Sequence, residues 1–375
     1  MNFMSAVCLT MIGPMLPQVS TEFSLGITQM GTLIAFQFAG FTVFTVTAGM
    51  VSDRIGKKPV TAAALIILAL SCFLISLVRS YEMVCVLLIF IGGGLGIAEA
   101  MSNALLSDAV PDNAVFQLNF LQVIFGLGAI IGPILAGVAF SNGVSWRVVY
   151  VVLSCFTAIL TLFFVTNKIP GLPPQDRIDM QGLKHLIFDK KFLLICLCMF
   201  LYTGSESSAW GWMTTYTETV LDFSVFKSSL AVAVFWLAVT VTRLFISLSI
   251  KKFDILKLVM ILAVCSGITC AIMGVLRNEN ATWIIIVLLG IACSSQWGLI
   301  VTYGTRIYNR NSGTVFSVLM ASGSIGMTTV PYMMGIVAST SGSMRFSLAV
   351  PAIMFVSISA IFLVFLKNKK LKVES

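Results

Sequence analysis

The stretch GLGAIIGPILAGVAFSNGVSWR, residues 126–147, recurs 198 residues later as SIGMTTVPYMMGIVASTSGSMR, residues 324–345. The matched positions keep one register: Gly128/Gly326, Pro133/Pro331, Gly137/Gly335, Ser145/Ser343 and Arg147/Arg345. Gly13 and Gly211 extend the same offset back to the beginning of each half. A constant offset over this length predicts that the chain contains two halves of the same fold.

The composition of the chain excludes a soluble protein. Of its 375 residues, 58% are hydrophobic and only 10% are charged, and the mean hydropathy is +1.01. Soluble domains carry about 25% charged residues, so this chain cannot cover itself with a hydrated surface. A soluble enzyme, a disulfide scaffold and a disordered chain are excluded. All nine cysteines fall in apolar segments, which favours packing over metal or disulfide chemistry.

Twelve apolar segments of the length that crosses a bilayer, about 20 residues, follow one another with short connections. They are residues 2–19, 29–51, 59–78, 83–104, 116–140, 146–166, 192–214, 226–250, 257–276, 281–303, 313–338 and 345–366, here called spans 1 to 12. We predict an all-α membrane protein with 12 transmembrane helices in two parallel-repeat six-helix bundles. The predicted regions are bundle 1–166, cytoplasmic linker 167–191, bundle 192–366 and cytoplasmic tail 367–375.

The basic residues predict the orientation. With both termini inside, five of the 23 Lys and Arg residues face outward: Arg79, Arg147, Lys227, Arg277 and Arg345. The others are assigned to the inside: Arg54, Lys57, Lys58, Lys168, Arg177, Lys184, Lys190, Lys191, Arg243, Lys251, Lys252, Lys257, Arg306, Arg310, Lys367, Lys369, Lys370 and Lys372. Basic loops remain on the cytoplasmic side of membrane proteins. The net charge of +8 is thereby explained without nucleic acid as a partner.

This orientation can be tested at Gln175, in the predicted cytoplasmic linker. A cysteine introduced there should resist impermeant thiol reagents added to intact cells and react after the cells are opened. A cysteine introduced at Asn142, in a predicted outer loop, is the matched control and should react in intact cells. Labelling of position 175 from outside would contradict the predicted topology.

The loop after span 2 carries a recognisable motif. It contains Gly49, Asp53, Arg54, Gly56, Lys57 and Lys58 in the order GMVSDRIGKK. This segment resembles the GxxxDRxGRR/K signature of the major facilitator superfamily. The resemblance implies a cytoplasmic gate, in which the acid and the neighbouring cations latch the two halves and release as they rock. A basic topology anchor is the alternative interpretation.

Three further stretches resemble the fucose-permease-like family of sugar:proton symporters. They are GGGLGIAEAMSN at 92–103, LNFLQVIFGLGA at 118–129 and YTGSE at 202–206, the last followed by Trp212 and Tyr216. The resemblance implies proton-linked sugar transport. Two positions differ from the family's fucose carrier: Phe125 replaces an Asn, and span 1 lacks an acid.

Only two of the 15 acids lie well inside spans, namely Glu99 and Glu206. A carboxylate at the bilayer centre costs roughly 2.5–3.5 kcal/mol on insertion scales, so both are functional candidates. In the superfamily architecture spans 1, 4, 7 and 10 line the central cavity. We assign Glu99 to proton coupling, with a structural hydrogen bond as the alternative. Glu206 is assigned to substrate or gating contacts.

Polar and aromatic residues on the same spans complete the predicted substrate site. They are Asn103, Asn119, Gln122, Tyr202, Glu206, Trp210, Trp212, Tyr216, Gln296 and Trp297. Asn103 lies one turn from Glu99 and is expected to orient it. The 198-residue offset maps Glu99 onto Trp297, and a carboxylate facing an aromatic ring suits a sugar. For the aromatics the alternatives are a place at the membrane interface or helix packing, and bridging between helices is the alternative for the amides.

We predict a secondary active transporter that imports a small polar solute, a monosaccharide above all, together with protons by alternating access. Segment 126–137 resembles the antiporter signature of drug exporters, so proton-driven efflux of an amphiphile is the alternative. No metal cluster, nucleophile elbow or phosphate loop supports an enzyme. The expected partners are the solute, protons and the lipid bilayer of the cell membrane. A monomer without a cofactor is expected.

Overall fold

The fold is almost entirely helical across the part of the chain that the computed structural model describes. These residues are 1–109, 114–167, 188–249, 253–308 and 312–374. The side chains of residues 50, 53, 107–109, 114–119, 312–313 and 368–374 lie outside the description. Among the described helices, eleven are long and apolar enough to cross a membrane, and a bent pair brings the number to twelve. The predicted fold class is therefore confirmed.

The observed helices follow the predicted spans closely. In chain order they are Asn2–Thr10 with Ile12–Phe23, Ile27–Ile55, Lys57–Ile75, Tyr81–Ala109, Ala114–Ser141, Trp146–Thr166, Lys190–Gly211 with Met213–Leu221, Val225–Ser249, Ile255–Val275, Glu279–Cys293 with Gln296–Ile307, Ser312–Ser341, and Met344–Ser347 with Ala349–Glu374. Large apolar side chains such as Leu162 and Val275 are exposed, as expected of helices that face lipid.

Three of the predicted cavity spans are broken helices. Span 1 bends by 40° around Met11, close to two prolines that cannot donate backbone hydrogen bonds. Span 7 is interrupted at Trp212, directly after Gly211, and span 10 is interrupted at Ser294 and Ser295. Helix breaks at membrane depth leave backbone carbonyls and amides free of intrahelical partners. Such breaks are tolerated where the backbone lines a cavity or is buried in protein.

The 198-residue repeat is visible in matched contacts. Ser145 and Ser343 each cap the following helix by accepting a hydrogen bond from the backbone N–H of Arg147 and Arg345, respectively. The Nη1 of Arg147 donates to the carbonyl of Ser76 over 2.8 Å. Its counterpart, the Nη1 of Arg345, donates to the carbonyl of Gly274 over 3.4 Å, and Gly274 stands 198 residues after Ser76. Each half thus joins its sixth span to the end of its third span in the same way.

The chain divides into two compact units. Unit 1 contains Met1–Asp176 and Gly211–Trp236, and unit 2 contains Arg177–Trp210 and Leu237–Ser375. Residues 211–236 therefore belong to unit 1, although the repeat assigns them to the second half. Within unit 1, helix Met213–Leu221 packs against helix Ile12–Phe23. A Cβ on Gly137 would lie 2.7 Å from the Cβ of Ser229, so span 5 and the beginning of span 8 are in close contact.

A polar pair in unit 2 joins the beginning of span 7 to the end of span 10. Asp189 accepts hydrogen bonds from the backbone N–H groups of Lys191 and Phe192, as an N-cap residue does. Its Oδ2 accepts a 2.7 Å hydrogen bond from the hydroxyl of Tyr308. This hydrogen bond holds the pKa of the Asp189 carboxyl below its usual range.

Asp189→Asn is expected to make stability less dependent on pH. Because the pKa of Asp189 is lowered in the folded state, its charge stabilises the fold above the unfolded pKa of about 3.9, and this contribution is lost as the pH falls through the folded pKa. Asparagine still caps the helix, so the variant removes the charge alone. Thermal unfolding of the purified protein should show the largest difference at neutral pH and convergence in acid. A difference independent of pH would contradict the prediction.

Candidate functional site

Glu99 lies in span 4 behind a run of glycines that packs tightly within unit 1. A Cβ on Gly94 would lie 2.8 Å from the Cβ of Leu68 in span 3. Gly92 and Gly96 face backbone oxygens of span 2, so these glycines allow spans 2 and 4 to approach closely. The side chain of Glu99 is half-buried and makes no hydrogen bond or ion pair with another described residue. Among the described residues, no opposite charge offsets that of an ionised carboxyl at this position.

Three amides of spans 4 and 5 were predicted to belong to the substrate site, and the structure describes them to different extents. The Oδ1 of Asn103 accepts a 3.2 Å hydrogen bond from the Nδ2 of Asn2 in span 1. This contact bridges spans 1 and 4, and the expected orienting contact to Glu99 is not among the hydrogen bonds of the described residues. Gln122 is half-buried in span 5. The side chain of Asn119 lies outside the described part, so its role stays a prediction.

Tyr202 and Glu206 form the tightest polar contact of the predicted site. They lie one turn apart on span 7, and the Tyr202 hydroxyl is 2.7 Å from Glu206 Oε1. The same hydroxyl is 2.7 Å from the backbone carbonyl of Cys293, the last residue before the break in span 10. Tyr202 therefore joins Glu206 on its own span to span 10 inside unit 2.

The structure places Arg243 inside span 8, whereas the count of basic residues assigned it to the cytoplasmic segments. It lies inside helix Val225–Ser249, and its Nε donates a 2.8 Å hydrogen bond to the carbonyl of Ser294. Its positive charge also lies close enough to the Glu206 carboxyl to interact with it electrostatically. The assignment failed because Arg243 was counted with the loop that follows span 8. A charge within an apolar span was the signal that could have identified it.

Span 10 supplies a side-chain amide and an aromatic ring to unit 2. Gln296 is fully buried, and its Nε2 donates to the Ser266 hydroxyl over 2.9 Å and to the Ala292 carbonyl over 3.0 Å. Its Oε1 has no partner among the described residues, so it remains an available acceptor. The ring of Trp297 lies edge-on to Phe316, with centroids 6.5 Å apart. The proposed pairing of Trp297 with Glu99 stays a prediction.

The remaining aromatics of span 7 are buried around its break. Trp210, Trp212 and Tyr216 are each at most 3% exposed. The carbonyl of Trp212 accepts the backbone N–H of Tyr216 over 2.8 Å. Trp210 belongs to unit 2, whereas Trp212 and Tyr216 belong to unit 1. Their burial is compatible with both packing and substrate contact.

The gate motif forms the tight turn between spans 2 and 3. Gly56 has φ of 92°, a conformation that favours glycine, and Lys57 begins the next helix. The Nζ of Lys58 donates a 2.7 Å hydrogen bond to the carbonyl of Asn167, which ties this turn to the end of span 6 in unit 1. Arg54 is exposed, and there is open space around the Cα of Gly49. The side chain of Asp53 lies outside the described part, so the latch stays a prediction.

Gln37, on span 2, is a candidate that sequence reasoning missed. It is 1% exposed, and neither its Oε1 nor its Nε2 has a hydrogen-bond partner among the described residues. Leaving a buried polar group unpaired costs roughly 1–3 kcal/mol, so a water or a solute is expected to bind there. An amide within the apolar run FQFAGF was the available signal.

Across the described residues, His, Cys, Asp and Glu side chains form no group of three suited to a metal.

Broken helices, half-buried carboxyls inside apolar spans and repeated halves together indicate a polytopic membrane protein. Residues 1–316 match the family described as the Major Facilitator Superfamily. The chain belongs to this superfamily, whose members are membrane transporters and not enzymes.

Curated relatives are distant and differ in what they transport. A "Protein TsgA homolog" of Buchnera aphidicola is 22% identical over 86% of this chain and 82% of its own length. The cis,cis-muconate transport protein of Acinetobacter baylyi is 22% identical over 96% and 91%. A class H tetracycline resistance protein of Pasteurella multocida is 30% identical over 52% and 51%. These names include a transport protein and a resistance protein, so they leave the substrate open.

Solved structures reproduce the fold over almost the whole chain. The E. coli fucose:proton symporter FucP has a TM-score of 0.67 at 19% identity and covers 97% of this chain and 96% of its own. The nucleoside transporter NupG has a TM-score of 0.79 at 14% identity, covering 98% of each chain. A D-xylose-proton symporter has a TM-score of 0.78 at 16% identity over 96% and 94%. At these identities the similarity establishes the fold alone.

Proposed function

We propose that this protein imports a small polar solute together with protons by alternating access. The observation that best supports this proposal is the position of Glu99. This half-buried acid lies inside span 4 and has no counter-charge among the described residues. A structural carboxyl at this depth would be expected to hold a partner that offsets its cost in the membrane. A carboxyl that binds and releases a proton in each cycle needs instead a place where its neutral form is stable.

A monosaccharide is the favoured solute. Two buried amide groups support this choice: Gln37 has an unpaired side chain, and Gln296 has an unpaired acceptor. Sugar hydroxyls both donate and accept hydrogen bonds, so they can satisfy such groups, and Trp297 offers an aromatic surface for the ring. Two of the structurally similar proteins are proton symporters of fucose and xylose. The resemblance to the fucose-permease-like family agrees with this choice.

Proton-driven efflux of an amphiphile is the second candidate. The tetracycline resistance relative and the drug-exporter-like segment 126–137 favour it. However, helix packing alone accounts for the glycines of that segment. A Cβ on Gly132 would lie 2.9 Å from the Val7 carbonyl of span 1, and Gly137 closely approaches Ser229 of span 8. This packing role weakens the segment as evidence for export.

A thermal-shift screen of the purified protein against sugars and amphiphiles separates the two functions. A ligand that binds only the folded state raises its Tm. We expect a monosaccharide to stabilise the protein, and Gln37→Leu to remove that shift while the variant remains folded. The ligand identified should then accumulate in proteoliposomes when the outside is acidic. Stabilisation by amphiphiles alone would instead support efflux.

The remaining elements of the proposal concern placement. The protein is a monomer in the cell membrane, with both termini and the motif 49–58 on the cytoplasmic side. In this arrangement Asp53 and the cations that follow it latch the inner ends of the two halves. The charge distribution supports the orientation, and the cysteine test at Gln175 addresses it directly.

A further inference from the structure

The Tyr202 hydroxyl stands between two acceptors but has one proton to donate. It is 2.7 Å from Glu206 Oε1 and 2.7 Å from the carbonyl of Cys293, both ordinary distances for O–H···O hydrogen bonds. A backbone carbonyl can only accept. If Glu206 were ionised, one of these contacts would join two acceptors without a hydrogen. Both are satisfied if Glu206 is protonated and donates to Tyr202, while Tyr202 donates to Cys293.

The carbonyls involved belong to the broken end of span 10. Cys293 ends the first helix of this span, and Ser294 follows it. The last carbonyls of a helix lack intrahelical partners, and cations and donors stabilise this negative end. The Tyr202 hydroxyl donates a hydrogen bond to the Cys293 carbonyl, and the Nε of Arg243 donates one to the Ser294 carbonyl. Together they form a cap on the break, which we call the span 10 cap.

Ionised Glu206 would compete for both members of the span 10 cap. The carboxylate would draw the Tyr202 proton away from Cys293, and its attraction for Arg243 would pull the guanidinium away from Ser294. Among the described residues, the titratable and charged groups close to Glu206 are Tyr202 on its own span, Arg243 on span 8 and Cys293 on span 10. One proton on Glu206 therefore decides whether the cap is complete.

We propose that Glu206 is a second proton-binding residue of this transporter and that its protonation closes the span 10 cap. Loss of the proton breaks the hydrogen bonds to Cys293 and Ser294 and loosens span 10 at Ser295, next to Gln296 and Trp297. The step involves only the proton and the rearrangement of hydrogen bonds. It goes beyond the proposed function, which assigns the coupled proton to Glu99, and it holds whichever solute is carried.

Infrared spectroscopy tests the proton directly. In purified protein near neutral pH, the C=O band of protonated carboxyl groups should include a component that disappears in Glu206→Gln. Glu99→Gln should leave this component unchanged, and the other acids remain as an internal background. Raising the pH should titrate the component in the wild-type protein, and Tyr202→Phe should shift its frequency because the hydroxyl partner is lost. A spectrum that Glu206→Gln leaves unaltered at every pH would overturn the proposal.

Hydrogen exchange tests the consequence for span 10. For peptides covering residues 290–300, protection corrected for the intrinsic pH dependence of exchange should fall roughly fivefold, the scale of one lost hydrogen bond of about 1 kcal/mol, as Glu206 ionises. Glu206→Gln should retain high protection across the same range, because the neutral amide does not attract Arg243. Equal pH dependence in both proteins would show that Glu206 does not control the cap. Neither measurement involves transport, so a wrong proposed function would leave both results unaffected.

Discussion

The Glu99→Gln variant is expected to bind its substrate and yet lose all accumulation driven by a pH gradient. Glutamine has nearly the shape of the protonated acid but cannot release a proton. The variant can therefore exchange substrate between two pools, while net uptake against a gradient falls to the level of protein-free vesicles. Counterflow and pH-driven uptake in proteoliposomes measure the two activities separately. The expected separation follows from the position of Glu99 inside span 4 without a partner among the described residues.

Glu82→Gln is the matched control for this prediction. Glu82 lies at the beginning of the same helix and is exposed, so its neutralisation should leave uptake and its pH profile unchanged. If Glu99→Gln still accumulates substrate with an unchanged pH profile, the coupling role is wrong. Glu206, the other acid that the sequence places well inside a span, is then the candidate, and the infrared measurement determines whether it holds a proton.

The spans were predictable because the solvent requirement of a membrane helix is strong and local. Each span must present about 20 apolar residues, and this requirement is visible in composition without knowledge of partners. Arg243 was misplaced because a charge counted for orientation was not weighed as an intramembrane charge. The break in span 10 was not predicted either, since Ser294 and Ser295 are ordinary in a helix unless neighbours offer other partners to their backbone groups.

The candidate site was predictable in its residue types but not in its pairings. Isolated acids such as Glu99 and Glu206 are rare in spans, and they were identified for this reason. Their surroundings depend on tertiary contacts: Asn103 bonds to Asn2, although its helical spacing favoured Glu99. Gln37 was missed because a single amide in an apolar run resembles a residue that bridges helices. Only its burial without a partner distinguishes it.

The contact between spans 2 and 4 gives the largest expected effect on folding. A Cβ on Gly40 would lie 2.8 Å from the Cα of Ile89 and closer still to the carbonyl of that residue. A Cβ on Gly92 would lie 3.0 Å from the backbone N of Phe41 and closer still to the carbonyl of Gln37. Backbone atoms cannot rotate away, so the two helices would have to separate along this contact.

Gly40→Ala and Gly92→Ala are therefore each expected to reduce the yield of folded protein sharply and to lower its Tm. Overpacking costs about 1–3 kcal/mol and occasionally more, a large part of a net stability of about 5–15 kcal/mol. Gly298→Ala is the matched control, because nothing lies within 4 Å of its added Cβ, and its Tm should not fall below that of the wild type, since alanine favours a helix more than glycine does. A wild-type Tm and a wild-type yield for either Gly40→Ala or Gly92→Ala would contradict the close contact between spans 2 and 4.

The double variant sharpens this test and links it to transport. Both alanines separate the same pair of helices. The loss of unfolding free energy in the double variant should therefore be smaller than the sum of the losses in the two single variants. Glu99 follows Gly92 by two helical turns on the same helix, so separating spans 2 and 4 is expected to open its surroundings to solvent. The fraction of Gly92→Ala protein that folds should therefore show weaker coupling to the pH gradient than the Gly298→Ala protein. Full coupling in folded Gly92→Ala would mean that proton coupling at Glu99 does not depend on the packing of span 4 against span 2.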